Sequence, residues 1–387
     1  MTDSFDVRKS DRPFDQNHTL VAVIELSQTS WLVGGIVPGL KRSPLKKLKP
    51  DREALFRLLV RWRDEAVKAG QEIMRIAVAC ECGRDGFWLV RWLRTQGIEA
   101  YVIHAASVAV SREHRRAKTD RLDTELLKRA FLGWLRGEVR HCSMVTIPSF
   151  EEEDAKRPSR ERETLVKERT RVINAMKSDL TRLGIRDFNP KPRTAREKLE
   201  TLRTPEGALI PPNTLAKLLR DMERLRLVVA QIKAIETARL KRLESSPQEK
   251  PHAMVILLAR VVGVGIETAD MLVREVLSRE LRDRRAVARY AGLTGSPDES
   301  GSKRREKGLS KAGNARVRRG MIQLAWRLLR FQKDSALVQW YQARTADGRG
   351  GTRKTMIVAL ARKLLIALWR LVTFGEVPEG LILRPAL

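Results

Sequence analysis

Two aspartates lie three residues apart in the stretch AKTDRLD, residues 117–123. Asp120 and Asp123 open an apparent helix, TDRLDTELLKRAFLGWL, so that both carboxylates project from one face. Like charges this close repel each other, and a divalent cation that takes oxygen ligands, Mg²⁺ or Mn²⁺, would remove that cost. The alternative is that the two acids only interact favourably with the helix dipole.

Two further acids end apolar runs that are typical of buried strands. Glu25 closes TLVAVIE and Glu81 closes IAVACE, although a buried charge needs a partner. Ligands of open sheets gather beyond the carboxyl ends of the strands, where the helix of Asp120 and Asp123 would pack. Convergence of the four carboxylates predicts a two-metal site for phosphoryl transfer. The alternative is four unrelated surface acids.

Ser300 precedes Gly301 in what the sequence predicts to be a flexible loop. Four basic residues follow it: Lys303, Arg304, Arg305 and Lys307. A serine needs a base or a positive field to act as a nucleophile, and arginines around a phosphate would stabilise its transition state. Ser296 and Ser302 lie close enough to be alternative nucleophiles. The run is equally consistent with a solvated face or a phosphate clamp.

The elements that must position these residues alternate in the first third of the chain. We expect a strand hairpin over 19–37, a helix over 51–69, a strand over 76–81, a helix in GFWLVRWLRTQG and a strand in EAYVIHA. Strands that alternate with helices predict an α/β layer with a partly parallel sheet.

The middle of the chain, residues 149–250, begins with the charged linker SFEEEDAKRPSRERE. Two apolar seams follow, separated by a proline-rich hinge with short helical potential. The first seam is Val166, Ile173, Met176, Leu180 and Leu183, and the second is Leu218, Met222, Leu225, Val229 and Ile232. These spacings predict coiled-coil helices that form an antiparallel hairpin, a dimerisation arm, or both.

Residues 251–387 predict a mainly helical unit. Gly263-Val264-Gly265 lies between two apolar helical runs, where it would either offer backbone N–H groups to a phosphate or let two helices pack closely. The apolar run MIVALARKLLIALW, 356–369, is too short to span a bilayer and predicts a buried helix.

Composition favours a nucleic-acid partner and argues against a membrane. The 387 residues hold 76 Lys and Arg against 47 Asp and Glu, a formal charge of +29, which is typical of a polyanion-binding protein. Three cysteines without framework spacing indicate a reducing compartment, and residues 1–18 lack the apolar core of a signal peptide. We therefore expect a soluble, intracellular protein of a reducing cytoplasm.

Seven segments, in order, resemble the DEDD transposases of bacterial insertion sequences, whose best-understood members are bridge-RNA-guided recombinases. They are VIELSQTS, VACECGRDGFWLVRWL, AKTDRLDTELLKRA, VVGVGIETADMLVREV, ARYAGLTGSPDESG, KGLSKAGNARVRRG and ALARKLLIALW. The resemblance covers roughly residues 20–375.

The resemblance implies an α/β RNase H-like (RuvC-like) domain, a helical coiled-coil arm and a mainly α C-terminal transposase domain. The boundaries we expect are a tail over 1–18, then 19–148, 149–250 and 251–387. The four acids of the family fall on Glu25, Glu81, Asp120 and Asp123, which would bind Mg²⁺ or Mn²⁺. The serine of the family falls on Ser300, which would form a phosphoserine link with DNA. A site composed of both domains, between subunits of a dimer or tetramer, is also implied.

The chain departs from the family pattern at two positions. The first acid is usually Asp, whereas position 25 is Glu, and a nearby lysine is replaced by Gln28. The longer side chain of Glu25 can still ligate Mg²⁺, but the octahedral geometry of this ion is strict. These differences leave open an altered or weakened site.

Together these observations predict a DNA transposase or recombinase that acts on double-stranded element ends and target DNA. Base pairing with a guide, bridge-type non-coding RNA would select the sequence. The nucleic-acid-binding residues we expect are Lys118, Lys303, Arg304, Arg305, Lys307, Lys311, Arg316, Arg318 and Arg319. The alternatives are a metal-only nuclease that resembles a junction resolvase and an inactive nucleic-acid-binding relative.

Overall fold

The computed structural model describes residues 10, 12–81, 86–104, 107–108, 120–138, 140–192, 194–300, 303–309 and 313–385; for 296–300 and 303–307 it describes the backbone alone. Tertiary contacts divide the chain into two compact units, residues 1–150 and 151–387. Each unit is described by itself.

A mixed five-stranded sheet forms the centre of the first unit. Its strands are β1 Thr19–Leu26, β2 Trp31–Ile36, β3 Leu45–Leu48, β4 Arg75–Glu81 and β5 Glu99–Ile103, in the order β3-β2-β1-β4-β5. β1 is parallel to β4 and β4 to β5, whereas β1–β2 and β2–β3 are antiparallel. The α/β layer with a partly parallel sheet is therefore confirmed. Strand β3 was not predicted, because its short LKKL sequence is mostly exposed and carries no apolar alternation.

Helices cover both faces of this sheet. They are α1 Arg52–Lys68, α2 Gly86–Thr95 and α3 Asp120–Leu135. Alternate residues of a strand point to opposite faces. Leu20, Ala22 and Ile24 accordingly pack with α1 and α2, while Val21 and Val23 pack with α3.

The second unit begins with a pair of antiparallel helices. Its first elements are α4 Phe150–Asp154, α5 Arg157–Arg182, α6 Ala195–Thr201 and α7 Pro212–Ser245. Leu165 in the first half of α5 packs with Ile232 in the second half of α7, whereas Leu180 near the end of α5 packs with Leu218 near the start of α7, so the two helices run in opposite directions. The antiparallel hairpin is confirmed, and coiled-coil supercoiling stays a prediction. The segment that we predicted as a linker is instead helical, with Pro158 in the first turn of α5, where a missing N–H is tolerated.

The predicted seams are displaced by one residue at several positions. In α5 the buried residues include Leu165 and Val172 rather than Val166 and Ile173, which are only partly buried. In α7 Val228 is buried, whereas Val229 is 45% exposed. Both seams contain adjacent apolar pairs, so spacing alone could not decide which member faces the partner helix.

The remaining elements form one apolar cluster around the last helix. They are α8 Lys250–Arg260, α9 Ile266–Leu272, a π-helical turn Val273–Leu277, α10 Arg284–Tyr290, the strands β6 Gly295–Ser300 and β7 Lys303–Leu309, α11 Ala315–Phe331, α12 Ala336–Arg344 and α13 Gly350–Phe374. Helix α13 is buried along much of its length, as predicted. Gly263 turns the chain between α8 and α9 at φ +98°, a conformation that favours glycine. Across the described ranges, every helix is too short or too polar to cross a membrane.

The segment around Ser300 is a β-hairpin rather than the flexible loop that we predicted. β6 and β7 pair in antiparallel register, with Asp298 opposite Arg305 and Glu299 opposite Arg304. The sequence showed only a charged run, because this pairing becomes visible only when the register is known.

Candidate active site

Glu25 and Glu81 lie at the same end of two neighbouring parallel strands, β1 and β4. Ile24 is the register partner of Cys80, so the two glutamates follow as the next neighbours, with backbones about 4.8 Å apart. Val23, two residues before Glu25, packs in the core beneath α3. Both glutamate side chains therefore leave the sheet on the face that α3 covers.

The first turn of α3 brings the other two carboxylates to this face. Asp120 is exposed and Asp123 is half-buried. The Thr124 hydroxyl donates a hydrogen bond to the backbone carbonyl of Asp120, at 2.7 Å. Gly34 of β2, the register partner of Val23, lies beneath Thr124. The contact between α3 and β2 thus holds the start of α3 near the strand ends.

This group of four acids fits a divalent cation in ligand type, and its members lie at one end of the sheet. All four supply carboxylate oxygens, the ligands that Mg²⁺ and Mn²⁺ prefer. Glu25, Glu81 and Asp123 are half-buried, which limits competition from bulk water. Among the described residues, no three His, Cys, Asp or Glu side chains stand close enough to enclose an ion. The acids share a face and one end of the sheet without forming a closed set of ligands.

Sequence reasoning did not identify Lys128 as part of this face. Lys128 is 4% exposed, and its Nζ lies 2.7 Å from a carboxylate oxygen of Glu125. Its side chain also lies against Gly34, where a Cβ atom would come within 3.4 Å of its Cδ. A buried ammonium needs negative partners. The signal in the sequence was a lysine within the apolar run LLKRAFLGWL.

The second candidate centre is the end of strand β6. Ser300 is the last residue of this strand and is the register partner of Lys303 in β7. Arg304 and Arg305 follow in the same strand, so the serine lies beside a basic strand. The backbone of Ser300 therefore lies beside the strand that contains Lys303, Arg304 and Arg305.

Three more predicted nucleic-acid contacts lie in the first turns of α11. Arg316 and Arg319 both form ion pairs with Glu163 of α5, at 2.7 Å and 3.0 Å. Burial raises the pKa of Glu163, but the hydrogen bond from Lys167 and the charges of Arg316 and Arg319 outweigh it and lower that pKa. Arg318 lies in the same turns. Nucleic-acid contact by these arginines stays a prediction, and the candidates Lys118 and Lys311 lie outside the described residues.

Two family models match the chain. Residues 41–185 match a DEDD model from IS110 elements that is described as a transposase. Residues 256–340 match the model described as the transposase IS116/IS110/IS902 family. Glu81, Asp120 and Asp123 lie within the first match and Ser300 within the second. Glu25 precedes both, so its assignment depends on its place in the sheet.

Two curated relatives are named as transposases. The protein y4rJ of Sinorhizobium fredii is 41% identical over 374 residues, which cover 93% of this chain and 93% of the relative. A Pseudomonas aeruginosa protein named as a family 20 transposase is 26% identical over 234 residues, which cover 59% of this chain and 66% of the relative.

Proposed function

This chain belongs to the IS116/IS110/IS902 family of transposases, and we propose that it cuts and exchanges DNA strands of an insertion sequence through Ser300 and a carboxylate-bound Mg²⁺. A transposase is a DNA phosphoryl-transfer enzyme that must bind DNA, and a DEDD family implies divalent metal ions. Three parts of this mechanism are proposals: the choice of Mg²⁺, the serine nucleophile and the guide RNA.

The observation that carries the proposal is the shared face of Glu25 and Glu81. Two acids at neighbouring positions of parallel strands, beneath a helix that begins with two more acids, concentrate negative charge in one place. Like charges so placed are costly unless a cation offsets them. Glu25, Glu81, Asp120 and Asp123 would hold that cation, which supplies positive charge to the phosphate when it is bound.

Ser300 would make and break the covalent bonds. Its Oγ attacks the phosphorus of a DNA phosphodiester and gives up its proton, while the bridging oxygen of the cut strand leaves and takes up a proton. The product is a phosphoserine link, which a DNA hydroxyl reverses during strand exchange. Lys303, Arg304 and Arg305, on the strand opposite, would offset the negative charge of the transition state.

We further propose that a guide RNA selects the DNA and that the protein acts as a homo-oligomer. The formal charge of +29 is what remains after every Asp and Glu is counted, and this excess is consistent with a second polyanion besides the DNA. In such a complex the protein would bind the backbone and shape of the nucleic acids, and base pairing between RNA and DNA would select the sequence.

Trapping of labelled DNA on the full-length protein tests the proposal. Duplex DNA that carries an element end is incubated with protein, Mg²⁺ and the RNA of the element, and then resolved under denaturing conditions. We expect a covalent adduct with the wild-type chain. Ser300→Ala should remove the adduct and keep DNA binding, while Ser296→Ala, in the same strand, should leave the adduct intact.

Other outcomes distinguish the alternatives. Cleavage without an adduct would show hydrolysis by the metal-bound acids alone, as in a junction resolvase. An adduct in Ser300→Ala would contradict the serine assignment. Site-specific cleavage without RNA would contradict the proposal that a guide RNA selects the DNA. DNA binding without cleavage under any of these conditions would indicate an inactive relative.

A further inference from the structure

Glu275 is a buried carboxylate that the proposed reaction does not use. It is 2% exposed and lies in the π-helical turn Val273–Leu277. Arg160 of α5 donates from Nε to Oε1 at 2.8 Å and from Nη2 to Oε2 at 3.0 Å. Asn314 donates from Nδ2 to Oε2 at 3.0 Å, and Nε of Arg316 lies 3.7 Å from Oε1. Three segments of the second unit thus meet at one side chain.

These contacts keep Glu275 ionised. Burial raises the pKa of Glu275, but the hydrogen bonds from Arg160 and Asn314 and the charges of Arg160 and Arg316 outweigh burial and leave that pKa below its ordinary value. A buried carboxylate without such partners would be costly. π-Helical turns are rare and are frequent at functional sites.

Asn314 connects Glu275 to the base of the hairpin that carries Ser300. Its Oδ1 accepts hydrogen bonds from the backbone N–H groups of Arg316 and Val317, at 3.0 Å and 3.3 Å, which caps α11. Its own backbone N–H donates to the carbonyl of Tyr290 at 2.7 Å. The chain therefore returns from β7 to the point from which it left for β6.

Gly313 shows how closely the base of the hairpin is packed. Its φ is +91°, and a Cβ atom there would lie 2.6 Å from the carbonyl oxygen of Tyr290 and 2.7 Å from the backbone nitrogen of Gly292. The two ends of the hairpin segment, at Tyr290–Gly292 and Gly313–Asn314, are thus in direct contact. Glu275 fixes this contact to α5 through Arg160.

We propose that Glu275 is a positioning residue for Ser300, because it fixes the base of the hairpin at whose far end the serine lies. The inference depends on the proposed role of Ser300 as nucleophile. β6 runs from Gly295 to Ser300, a span of about 17 Å at 3.3 Å per residue. A tilt of a few degrees at the base would move Ser300 by about 1 Å, and an error of that size costs about 10²-fold in rate.

A second buried ion-pair cluster nearby provides a matched control. Asp270 of α9 is 7% exposed and pairs with Nε of Arg239 at 3.1 Å and of Arg274 at 3.6 Å. Arg239 also pairs with Glu267. This cluster joins α7 to α9, and through Glu267 and Arg274 it also reaches Arg162 of α5 and the π-helical turn. The Glu275 cluster joins the hairpin base to α5. Neutralising either carboxylate disturbs a buried ion pair, but only one of the two pairs holds the hairpin.

The test compares Glu275→Gln, Asn314→Asp and the control Asp270→Asn in the full-length protein with DNA, Mg²⁺ and RNA. Asn314→Asp keeps the helix cap, since Asp and Asn cap equally well, but it removes the donor to Glu275 and adds a like charge. We would measure DNA affinity, the single-turnover rate of adduct formation and the amide hydrogen exchange of residues 295–309.

In Glu275→Gln and Asn314→Asp we expect adduct formation to be about 10²-fold slower and amide exchange in the hairpin to be faster, with unchanged DNA affinity. Asp270→Asn should keep the wild-type adduct rate and hairpin exchange.

Equal slowing by Glu275→Gln and Asp270→Asn would overturn the inference, since it would show only a general loss of stability. Unchanged exchange of residues 295–309 in Glu275→Gln and Asn314→Asp would overturn it as well. If the wild-type chain forms no adduct, the proposed function fails and the catalytic part of the inference fails with it. The exchange comparison then still decides, by itself, whether Glu275 holds the hairpin.

Discussion

Gly34 of β2 lies directly beneath Thr124 of α3, so closely that a Cβ atom at position 34 would be 2.7 Å from Cγ2 of Thr124. A real Cβ atom does not tolerate such a distance. The missing side chain therefore sets how near the start of α3 comes to the strands. Because Asp120 and Asp123 belong to that start, Gly34 indirectly sets their distance from Glu25 and Glu81.

Gly34→Ala should displace α3 and weaken metal-dependent cleavage. Overpacking of this kind costs about 1–3 kcal/mol of the free energy of unfolding. Gly35→Ala is the matched control, because a Cβ at Gly35 would meet Trp62 of α1 on the opposite face, at 2.6 Å. We expect similar losses in urea unfolding for both variants, but a larger loss of Mg²⁺-dependent DNA cleavage for Gly34→Ala. Equal losses of cleavage would contradict the role given to the α3 contact.

Glu81→Gln should weaken Mn²⁺ binding and abolish cleavage while DNA binding persists. Removing a partner of a metal ligand already costs about 10–100-fold in affinity, and removing a charged ligand should cost at least as much. Glu65→Gln, on the exposed side of α1, is the control and should bind Mn²⁺ as the wild-type chain does. Mn²⁺ titration followed by electron paramagnetic resonance measures the affinity. Identical titration curves for Glu81→Gln and the wild type would remove Glu81 from the ligand set.

Glu275 should contribute stability that is lost in acid. Its pKa in the folded protein lies below the ordinary value of 4.5, so its contribution is fully present above pH 4.5 and declines as the pH falls through the folded-state pKa. At pH 7, Glu275→Gln should lower the free energy of unfolding by roughly 1–3 kcal/mol, the usual cost of disrupting a buried polar pair. When urea unfolding is measured between pH 7 and pH 3, the free energies of unfolding of the wild type and of Glu275→Gln should converge below pH 4.5. A difference between them that stays constant over this range would contradict the stabilising role of the ionised Glu275.

Cys142 should resist alkylation in the folded protein. Its thiol donates to the backbone carbonyl of Ala130 at 3.3 Å, and burial raises its pKa to about 12 from 9.0. The reactive thiolate is thus favoured only in the unfolded state between pH 9 and pH 12, and stability falls as the pH rises through that range. Labelling with iodoacetamide, followed by mass spectrometry of the Cys142 peptide, should follow unfolding in urea. Rapid labelling at pH 9 without urea would contradict the burial of this thiol.

The basic strand β7 should contribute to the salt dependence of DNA binding. Each phosphate contact that is lost should reduce the slope of log K against log salt by about 0.9. Lys303→Gln, Arg304→Gln and Arg305→Gln are measured singly by fluorescence anisotropy at several salt concentrations. Lys233→Gln on the exposed side of α7 is the control. Slopes that match the wild type in the three β7 variants would show that β7 does not contact phosphates.

The sequence predicted those parts of the fold in which burial leaves a clear periodic pattern. Glu25 is the next-to-last residue of β1 and Glu81 is the last residue of β4, and each glutamate stands out because the apolar residues before it are buried. Parallel pairing then places both acids at the same end of the sheet. The candidate carboxylate face could therefore be predicted before any register was known.

Other features depend on contacts between distant segments. The seams of α5 and α7 contain the apolar pairs Val172–Ile173 and Val228–Val229, and only packing selects the buried member. The fit of Gly34 beneath Thr124 joins residues ninety positions apart and leaves no local signal. The partners of Glu275 come from α5 and α11, so spacing along the chain cannot reveal them.

The π-helical turn that carries Glu275 has one more effect on the chain. A turn of this kind holds an additional residue, so the side chains after it are rotated out of phase with those of α9 by about 100°, one residue step of a 3.6-residue turn. Asp270 and Glu275 are five residues apart, a spacing that in a regular α-helix already separates two side chains by about 140° around the axis. Asp270 pairs with Arg239 of α7 and with Arg274 inside the turn, and Glu275, the next residue, pairs with Arg160 of α5. The turn is therefore the place where the two buried ion-pair clusters meet along one helical segment.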